Sequence, residues 1–375
     1  ETITPTVTET VTPTVTETVT PTVTETITPT VTHTVTDTVT MTVTDTVTMT
    51  VTATITPTIT MTSTPDSTPA APAGLTMIQE GGVTTLSWGT AGNTDYYNVY
   101  RTTGAFGKLN EFPAGWNIIA TVLPTPAVSE YSDNDAEGSL YNFYHITAVN
   151  GAGEGEKSSM GSRAVIEFDY VVGNKNTYRI ALPYVSKYAK ASDVVIDIEG
   201  SLASPPEKID TLALWNPATQ AFTPYSYKSF AGTWLGIDFE IDAGTNSSNV
   251  LYVHTVSSFD WVVAGTDKSA ELDFKYNTDR ANANKRMMPY TGSYRYASDI
   301  VMDIEGSMGT QTYINRLALW NPDTQSYIVY GFRDTMGTWI GINFEIKPGQ
   351  AVNIYPGGST LEFKWTPELA APNVP

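Results

Sequence analysis

Two regimes of hydrophobic patterning divide the chain. From Thr2 to Thr64 every even position is threonine, and every second odd position is valine or isoleucine, from Ile3 and Val7 through to Ile59. The remaining odd positions vary among Glu, Pro, Asp, Met, His and Ala. No helix matches a period of two, whereas an extended chain does, because successive side chains leave on opposite faces. Thr, Val and Ile are β-branched and favour that state. One face of such a strand is wholly threonine, and the other alternates an apolar residue with a variable one. At about 3.3 Å per residue the segment reaches roughly 210 Å. The unit is too short to be one coil of a solenoid, whose repeats run to ~20 residues or more.

Pro5, Pro13, Pro21, Pro29 and Pro57 all fall on the odd register. Odd and even residues of a strand aim their N–H groups at opposite edges, so the proline edge lacks donors and the threonine edge is complete. If the strand pairs, it pairs through its threonine edge. Two readings stay open: a disordered, mucin-like spacer carrying O-linked sugars, and an ordered strand inside a fibre. Sugars suit both, and the first candidate O-glycosylation sites are Thr2, Thr4, Thr6, Thr8, Thr10 and Thr12. Isolated, the strand would leave backbone donors and acceptors unpaired along both edges. Its Val/Ile positions are too sparse for a core within one chain. Order therefore requires neighbouring copies, a glycan shell, or both.

After a proline hinge over residues 65–72, the pattern becomes short strands between turns: Thr84–Trp88, Tyr96–Arg101, Asn117–Val122 and Tyr144–Val149. This spacing predicts an antiparallel sandwich. Leu86-Ser87-Trp88, Asn98-Val99-Tyr100-Arg101 and the run from Phe143 to Gly155 also resemble a fibronectin type III domain, over about Pro69 to Arg163. The family's corner tyrosine would fall where Asn142 stands, with Tyr141 the substitute after a one-residue shift. The resemblance implies a spacer or binding module and no activity. Asp133-Asn134-Asp135-Ala136-Glu137-Gly138 looks like the opening of a calcium loop. Its twelfth position is Tyr144, where a helix-loop-helix site needs Glu. A turn is the favoured reading.

The remainder repeats internally. Leu182-Pro183-Tyr184, Asp197-Ile198-Glu199-Gly200-Ser201 and Leu212-Ala213-Leu214-Trp215-Asn216-Pro217 return as Met288-Pro289-Tyr290, Asp303-Ile304-Glu305-Gly306-Ser307 and Leu317-Ala318-Leu319-Trp320-Asn321-Pro322. Gly232-Thr233-Trp234 and Phe239-Glu240-Ile241 return as Gly337-Thr338-Trp339 and Phe344-Glu345-Ile346. Matches in register predict a duplicated unit of about one hundred residues. Each copy is expected to be β-rich with one short helix, capped by Ser192 or Asp193 and by Ser298, and stopped at Gly200 and Gly306. The pattern resembles a module of secreted multidomain bacterial surface proteins over about Asn174 to Trp365.

Composition narrows the partners. The 375 residues contain no cysteine and carry a net charge of −19. Zero cysteine excludes a disulfide framework and thiolate chemistry. The acidity argues against nucleic acid or an anionic membrane, both of which need basic patches. No apolar run is long enough to span a bilayer. Of the three histidines, His33, His145 and His254, none sits at metal-ligand spacing. Asp197/Glu199 and Asp303/Glu305 could be drawn as a glycosidase acid and base, yet carboxylates two apart are common and more often flank a helix end. Trp215, Trp234, Trp320 and Trp339 occupy equivalent places beside turns. They are candidate sugar or partner contacts, against the plainer alternative of a core role. Asn246-Ser247-Ser248 is an N-glycosylation sequon.

The expectation is thus a mainly β chain: a Thr-rich repeat stalk (1–68), a fibronectin type III-like domain (69–168) and two β-rich modules (169–268 and 269–375). Its expected role is a structural subunit of an extracellular filament or cell-surface stalk, with the repeat as fibre axis. The alternative is a surface adhesin or carbohydrate-binding protein whose repeat is a spacer. No enzymatic activity and no cofactor are expected. The expected partners are other copies of the chain (a homopolymer) and covalent glycans, with polysaccharide a further candidate.

Overall fold

The computed structural model describes residues 67–369 apart from 104–113, 242–249, 268–270, 276–283, 358–361 and single positions at 137, 184, 217, 218, 220, 289, 291 and 334. The threonine repeat, His33 and the sequon at Asn246 lie outside the described residues. The fold is mainly β, with two helices among the described residues.

The first eight strands are β1 (Thr76–Glu80), β2 (Val83–Gly89), β3 (Tyr96–Thr102), β4 (Asn117–Val122), β5 (Val128–Asp133), β6 (Tyr141–Asn150), β7 (Gly153–Lys157) and β8 (Gly161–Phe168). In β1 and β2 alternate side chains are buried, Met77 and Gln79 on one and Thr84, Leu86 and Trp88 on the other. Strands β1-β2-β5 form one sheet; β4, β3, β6 and β8 run in order through the other, with β7 paired to β6. That division is the fibronectin type III arrangement of two antiparallel sheets. Between them Trp88 packs edge-on against Tyr97 at 5.5 Å, and the Tyr97 hydroxyl accepts the Ala91 N–H at 2.8 Å. The corner differs from the expected tyrosine. Asn142, only 1% exposed, donates its Nδ2–H to the Ala136 carbonyl at 2.9 Å. The amide at the family's own position makes the upstream bond, so Tyr141 need not shift into it.

The next elements are β9 (Thr177–Ala181), β10 (Val185–Ser186), α1 (Ala191–Glu199), β11 (Ile209–Asn216), β12 (Ala221–Lys228), β13 (Thr233–Gly236), β14 (Val250–Thr255) and β15 (Phe259–Thr266). They are followed by β16 (Leu272–Lys275), β17 (Asn284–Met287), α2 (Ala297–Glu305), β18 (Ile314–Asn321), β19 (Ser326–Arg333), β20 (Thr338–Gly341), β21 (Ala351–Pro356) and β22 (Glu362–Trp365). One five-stranded sheet runs β13-β12-β11-β14-β9 and the other β20-β19-β18-β21-β17. The strand orders are the same, with one helix inserted after the first strand of each set.

Both helices begin one residue before the expected serine. Asp193 and Asp299 stand at the third helical position and accept the N–H groups of Lys190 and Tyr296 at 2.9 and 2.8 Å. This is the acidic half of a capping box. Neither Ser192 nor Ser298 is the cap; their backbone N–H groups donate to Asp238 and Asn343 instead, each at 2.8 Å. Gly200 and Gly306 end the helices at φ 79° and 72°, the left-handed region glycine enters without strain.

Strand β8 belongs to two cores. It closes the fibronectin-like sheet on β6, and over its whole length it pairs antiparallel with β15, from Phe168 opposite Phe259 to Gly161 opposite Thr266. Ala264 of β15 enters the core that holds Trp88 and Leu86, while Phe168 of β8 enters the core around α1. A continuous sheet therefore joins the first domain to the first module. In the second module the short strand β16 takes the place of β8, pairing with β22. Phe168 stacks on Phe259 at 4.6 Å, and Phe274 stacks on Phe363 at 4.5 Å in the corresponding pair.

Candidate functional site

The repeated Asp-Ile-Glu motif at the end of each helix is tied into the fold. Asp197 Oδ2 accepts the Tyr188 hydroxyl and the Trp261 indole N–H, both at 2.7 Å, while Lys187 reaches Oδ1 at 2.6 Å. In the second module Asp303 Oδ2 accepts from Tyr294 at 2.5 Å and Trp365 at 2.6 Å. Burial, followed by the carboxylate beside it, pushes both phenols well above the usual tyrosine range, so they remain donors. Glu199 accepts the backbone N–H groups of Glu207, Lys208 and Ile209, and Glu305 those of Thr312, Tyr313 and Ile314. Each carboxylate holds a loop or a ring pair in place. The spacing that suggested an acid and a base comes from one helical turn serving two structural bonds.

The four tryptophans singled out for sugar contact are placed as follows. Trp234 and Trp339 are each 6% exposed and stack on Tyr225 and Tyr330 within the module cores. Trp215, 7% exposed, packs against Phe222 in a small cluster with Val250 and Ala351, and Lys285 Nζ of the second module lies 3.2 Å from its ring centre. Trp320 is half-buried; its N–H donates to the Thr177 carbonyl at 2.7 Å, and the Arg179 guanidinium lies 4.9 Å from its ring. Protein groups pack against all four rings: Trp234 and Trp339 lie in module cores, and Trp215 and Trp320 lie at the joint between modules. Two further tryptophans, Trp261 and Trp365, carry the more consequential bonds. Their signal was the recurring Phe-x-Trp at Phe259 and Phe363, beyond the last motif matched in the sequence.

Two cations, Arg179 and Lys285, lie at that joint. Arg179 lies between Phe222, Tyr252 and Trp320 at 5.0, 4.3 and 4.9 Å. Burial, with Arg179 a smaller contributor, lowers the Lys285 ammonium from its ordinary range to about 7. Backbone bonds add to the joint. Ala181 N–H donates to the Gly349 carbonyl at 2.8 Å, and the Tyr290 hydroxyl to the Ala181 carbonyl at 2.6 Å.

The acidic turn after β5 has no free carboxylate at its head. Asp133 accepts Arg101 Nη1 at 2.9 and 2.7 Å and the Tyr144 hydroxyl at 2.9 Å, and its Oδ1 also accepts the Asp135 N–H at 3.0 Å. Its oxygens are committed within the turn. His145 is buried, with Nδ1 3.0 Å from the Ser158 carbonyl, and His254 Nδ1 lies 2.6 Å from Asp210. No group of three potential metal ligands occurs among the described residues. No helix among them is long and apolar enough to cross a membrane.

No family model matches this chain, and no curated protein does. Among solved structures it is similar to an Fn3-like protein from Clostridium thermocellum, at 28% identity over 25% of this chain and 90% of that one, TM-score 0.21. It is similar to pectate lyase Pel3 from Pectobacterium carotovorum at 23% identity over 24% of this chain and 26% of that one, TM-score 0.18. The FN1–FN3 domains of chicken CNTN1 match at 8% identity over 80% of this chain and 99% of theirs, TM-score 0.20. These scores are low, and the fibronectin-like assignment rests on the strand order of the first domain itself.

Proposed function

We propose that the chain is a non-enzymatic structural subunit of an extracellular filament or cell-surface stalk. The threonine repeat forms the axis, O-glycosylated along its threonine face, and the β-domains are displayed outside it. The observation that carries this reading is the register of the repeat: threonine at every even position from 2 to 64, proline only at odd ones. Such a strand can pair along one edge and is blocked along the other, which limits lateral growth. The continuous sheet through β8 and β15 and the bonded joint between modules suit a stiff displayed unit. The absence of cysteine is compatible with secretion, since cores of this size stand without disulfides.

Electron microscopy of the purified protein tests the reading, alongside a version lacking residues 1–64. The full chain should form filaments and the shortened chain should remain soluble, folded and monomeric. Filaments of the same form from the shortened chain would show that the domains build the axis. Intact-mass spectrometry tests the glycan: a mass equal to the bare 40.7 kDa chain would remove it from the proposal.

A further inference from the structure

At the joint, a set of equivalent residues from the two modules face one another. The equal strand orders make Trp215 the counterpart of Trp320, Phe222 that of Tyr327, Arg179 that of Lys285 and Val250 that of Ala351. Each module lends its cation to the other's indole. Lys285 of the second module lies over Trp215 of the first at 3.2 Å, and Arg179 of the first lies over Trp320 of the second at 4.9 Å. Each indole is braced by its own module's aromatic, Phe222 at 5.0 Å from Trp215 and Tyr327 at 5.0 Å from Trp320. Val250 and Ala351, the first residues of β14 and β21, share one cluster at the joint. The strand contacts are reciprocal as well: β14 lies against β17, and β21 against β9. A contact in which residue i meets j while the counterpart of j meets the counterpart of i is isologous, the signature of a two-fold axis. Here it relates two halves of one chain.

From this reciprocity we infer that the joint face is self-complementary and takes, as its partner, the same face of a module from a second copy of the chain. The charge arrangement permits this. A first module facing another first module would set Arg179 over Trp215 in both directions, and two second modules would set Lys285 over Trp320, each a cation over an indole. No new kind of contact is needed. Within one chain the tether favours the internal pair through its high effective concentration. Once the tether is cut, exchange between chains becomes a matter of concentration. The inference concerns the modules alone and stands apart from the reading of the threonine repeat.

The test uses the version lacking residues 1–64, so that association through the threonine repeat cannot stand in for the joint, with a protease site placed at residues 268–270. A cut there separates no paired strands, because β15 ends at Thr266 and β16 starts at Leu272. After cleavage, native mass spectrometry should find the one-to-one pair of halves together with dimers of each half, whose share grows as protein concentration rises. Halves that appear only as one-to-one pairs and monomers would overturn the inference. If the cut protein unfolds, the uncut chain decides. Arg179→Glu and Lys285→Glu should lower the unfolding midpoint of the modules by comparable amounts, whereas the exchanged double variant R179K/K285R should keep most of the native midpoint. A loss confined to one of the two positions would mean that the seats are not equivalent, and the inference fails.

Discussion

The indole N–H of Trp261 donates to Asp197 Oδ2 at 2.7 Å, and Trp365 repeats this with Asp303 at 2.6 Å. In both modules the last strand is thereby bonded to the helix across the core. Trp261 is 4% exposed, so its N–H has no route to water. Asp197→Ala leaves this donor and the Tyr188 hydroxyl without their acceptor, which should cost about 2–3 kcal/mol. Asp303→Ala should cost about as much. Urea unfolding of each variant checks the parity; a near-neutral result at either site would mean that the bond is not holding the strand.

Glu199 gives a sharper contrast between substitutions. It receives three consecutive backbone N–H groups, at 2.8, 2.8 and 2.6 Å from Glu207, Lys208 and Ile209. Glu199→Gln keeps one acceptor oxygen and loses the charge, whereas Glu199→Ala loses the cap entirely. The first should cost about 1 kcal/mol and the second about 2–3 kcal/mol. Hydrogen exchange should show the amides at 207–209 losing protection before those further along β11.

Asn142 should behave as a structural residue despite its polarity. Its side-chain bond to Ala136 ties the start of β6 to the turn that follows β5. Asn142→Ala should lower stability by about 1–2 kcal/mol, since it strands a buried carbonyl. Thermal unfolding of the first domain reads this directly, and an unchanged midpoint would assign the corner to other contacts.

Much of this was legible in the sequence, for identifiable reasons. Alternation exposed the strand around Trp88, because one face of it is buried, whereas the strand around Tyr97 is buried on both faces and reads as an aromatic and β-branched run between turns. Equal helix ends were legible because glycine enters the positive φ found at Gly200 and Gly306 without strain. What could not be read was pairing between distant segments. Nothing local in Gly161–Phe168 says that its second edge is taken by β15, and the glycines that make room there for Met77 of β1 and Val185 of β10 look like turn residues. A Cβ at Gly161 would come within 2.1 Å of Met77 Sδ, and one at Gly265 within 2.3 Å of the Val185 carbonyl. The tryptophans posed the same difficulty. A ring beside a turn can face water or a neighbouring module, and only the placement of Arg179 and Lys285 decides between them. The cap residue was not legible because Ser192 and Asp193 are both good caps, and the acceptor at Asp238 comes from 46 residues away.

His145 sets an acid limit. Burial, with the Lys157 charge second, lowers its pKa from 6.5 to about 3. The native protein therefore holds it neutral where the unfolded chain already takes up a proton. Its contribution is fully present above pH 6.5 and is lost as pH falls from there towards 3. Between pH 6.5 and 4.5 the loss should be on the order of 2 kcal/mol. His145→Asn, which keeps a donor for the Ser158 carbonyl, should flatten this part of the stability profile. An identical acid slope in the variant would place the effect elsewhere.

Lys285 should act in the opposite range. Its ordinary pKa of 10.5 falls to about 7 in the folded chain, chiefly through burial and then through Arg179. Between these values the unfolded chain binds a proton that the folded one does not, so stability rises with pH across the window from about 7 to 10.5. Below it the group is protonated in both states, and the full penalty of a charge in the joint remains. Screening by nearby water reduces the effect, and a gain on the order of 2 kcal/mol between pH 7 and 9.5 is expected. Lys285→Met removes the titrating group while keeping an apolar chain against Trp215. It should remove the rise and, at pH 7, leave the modules at least as stable as the native protein, since a well-packed apolar side chain often replaces a buried charge without loss. Guanidinium unfolding at pH 7 and 9.5, followed by tryptophan fluorescence, makes the comparison. If the native protein showed no gain over that interval, or the variant kept the same gain, the charge in the joint would not be governed by Lys285.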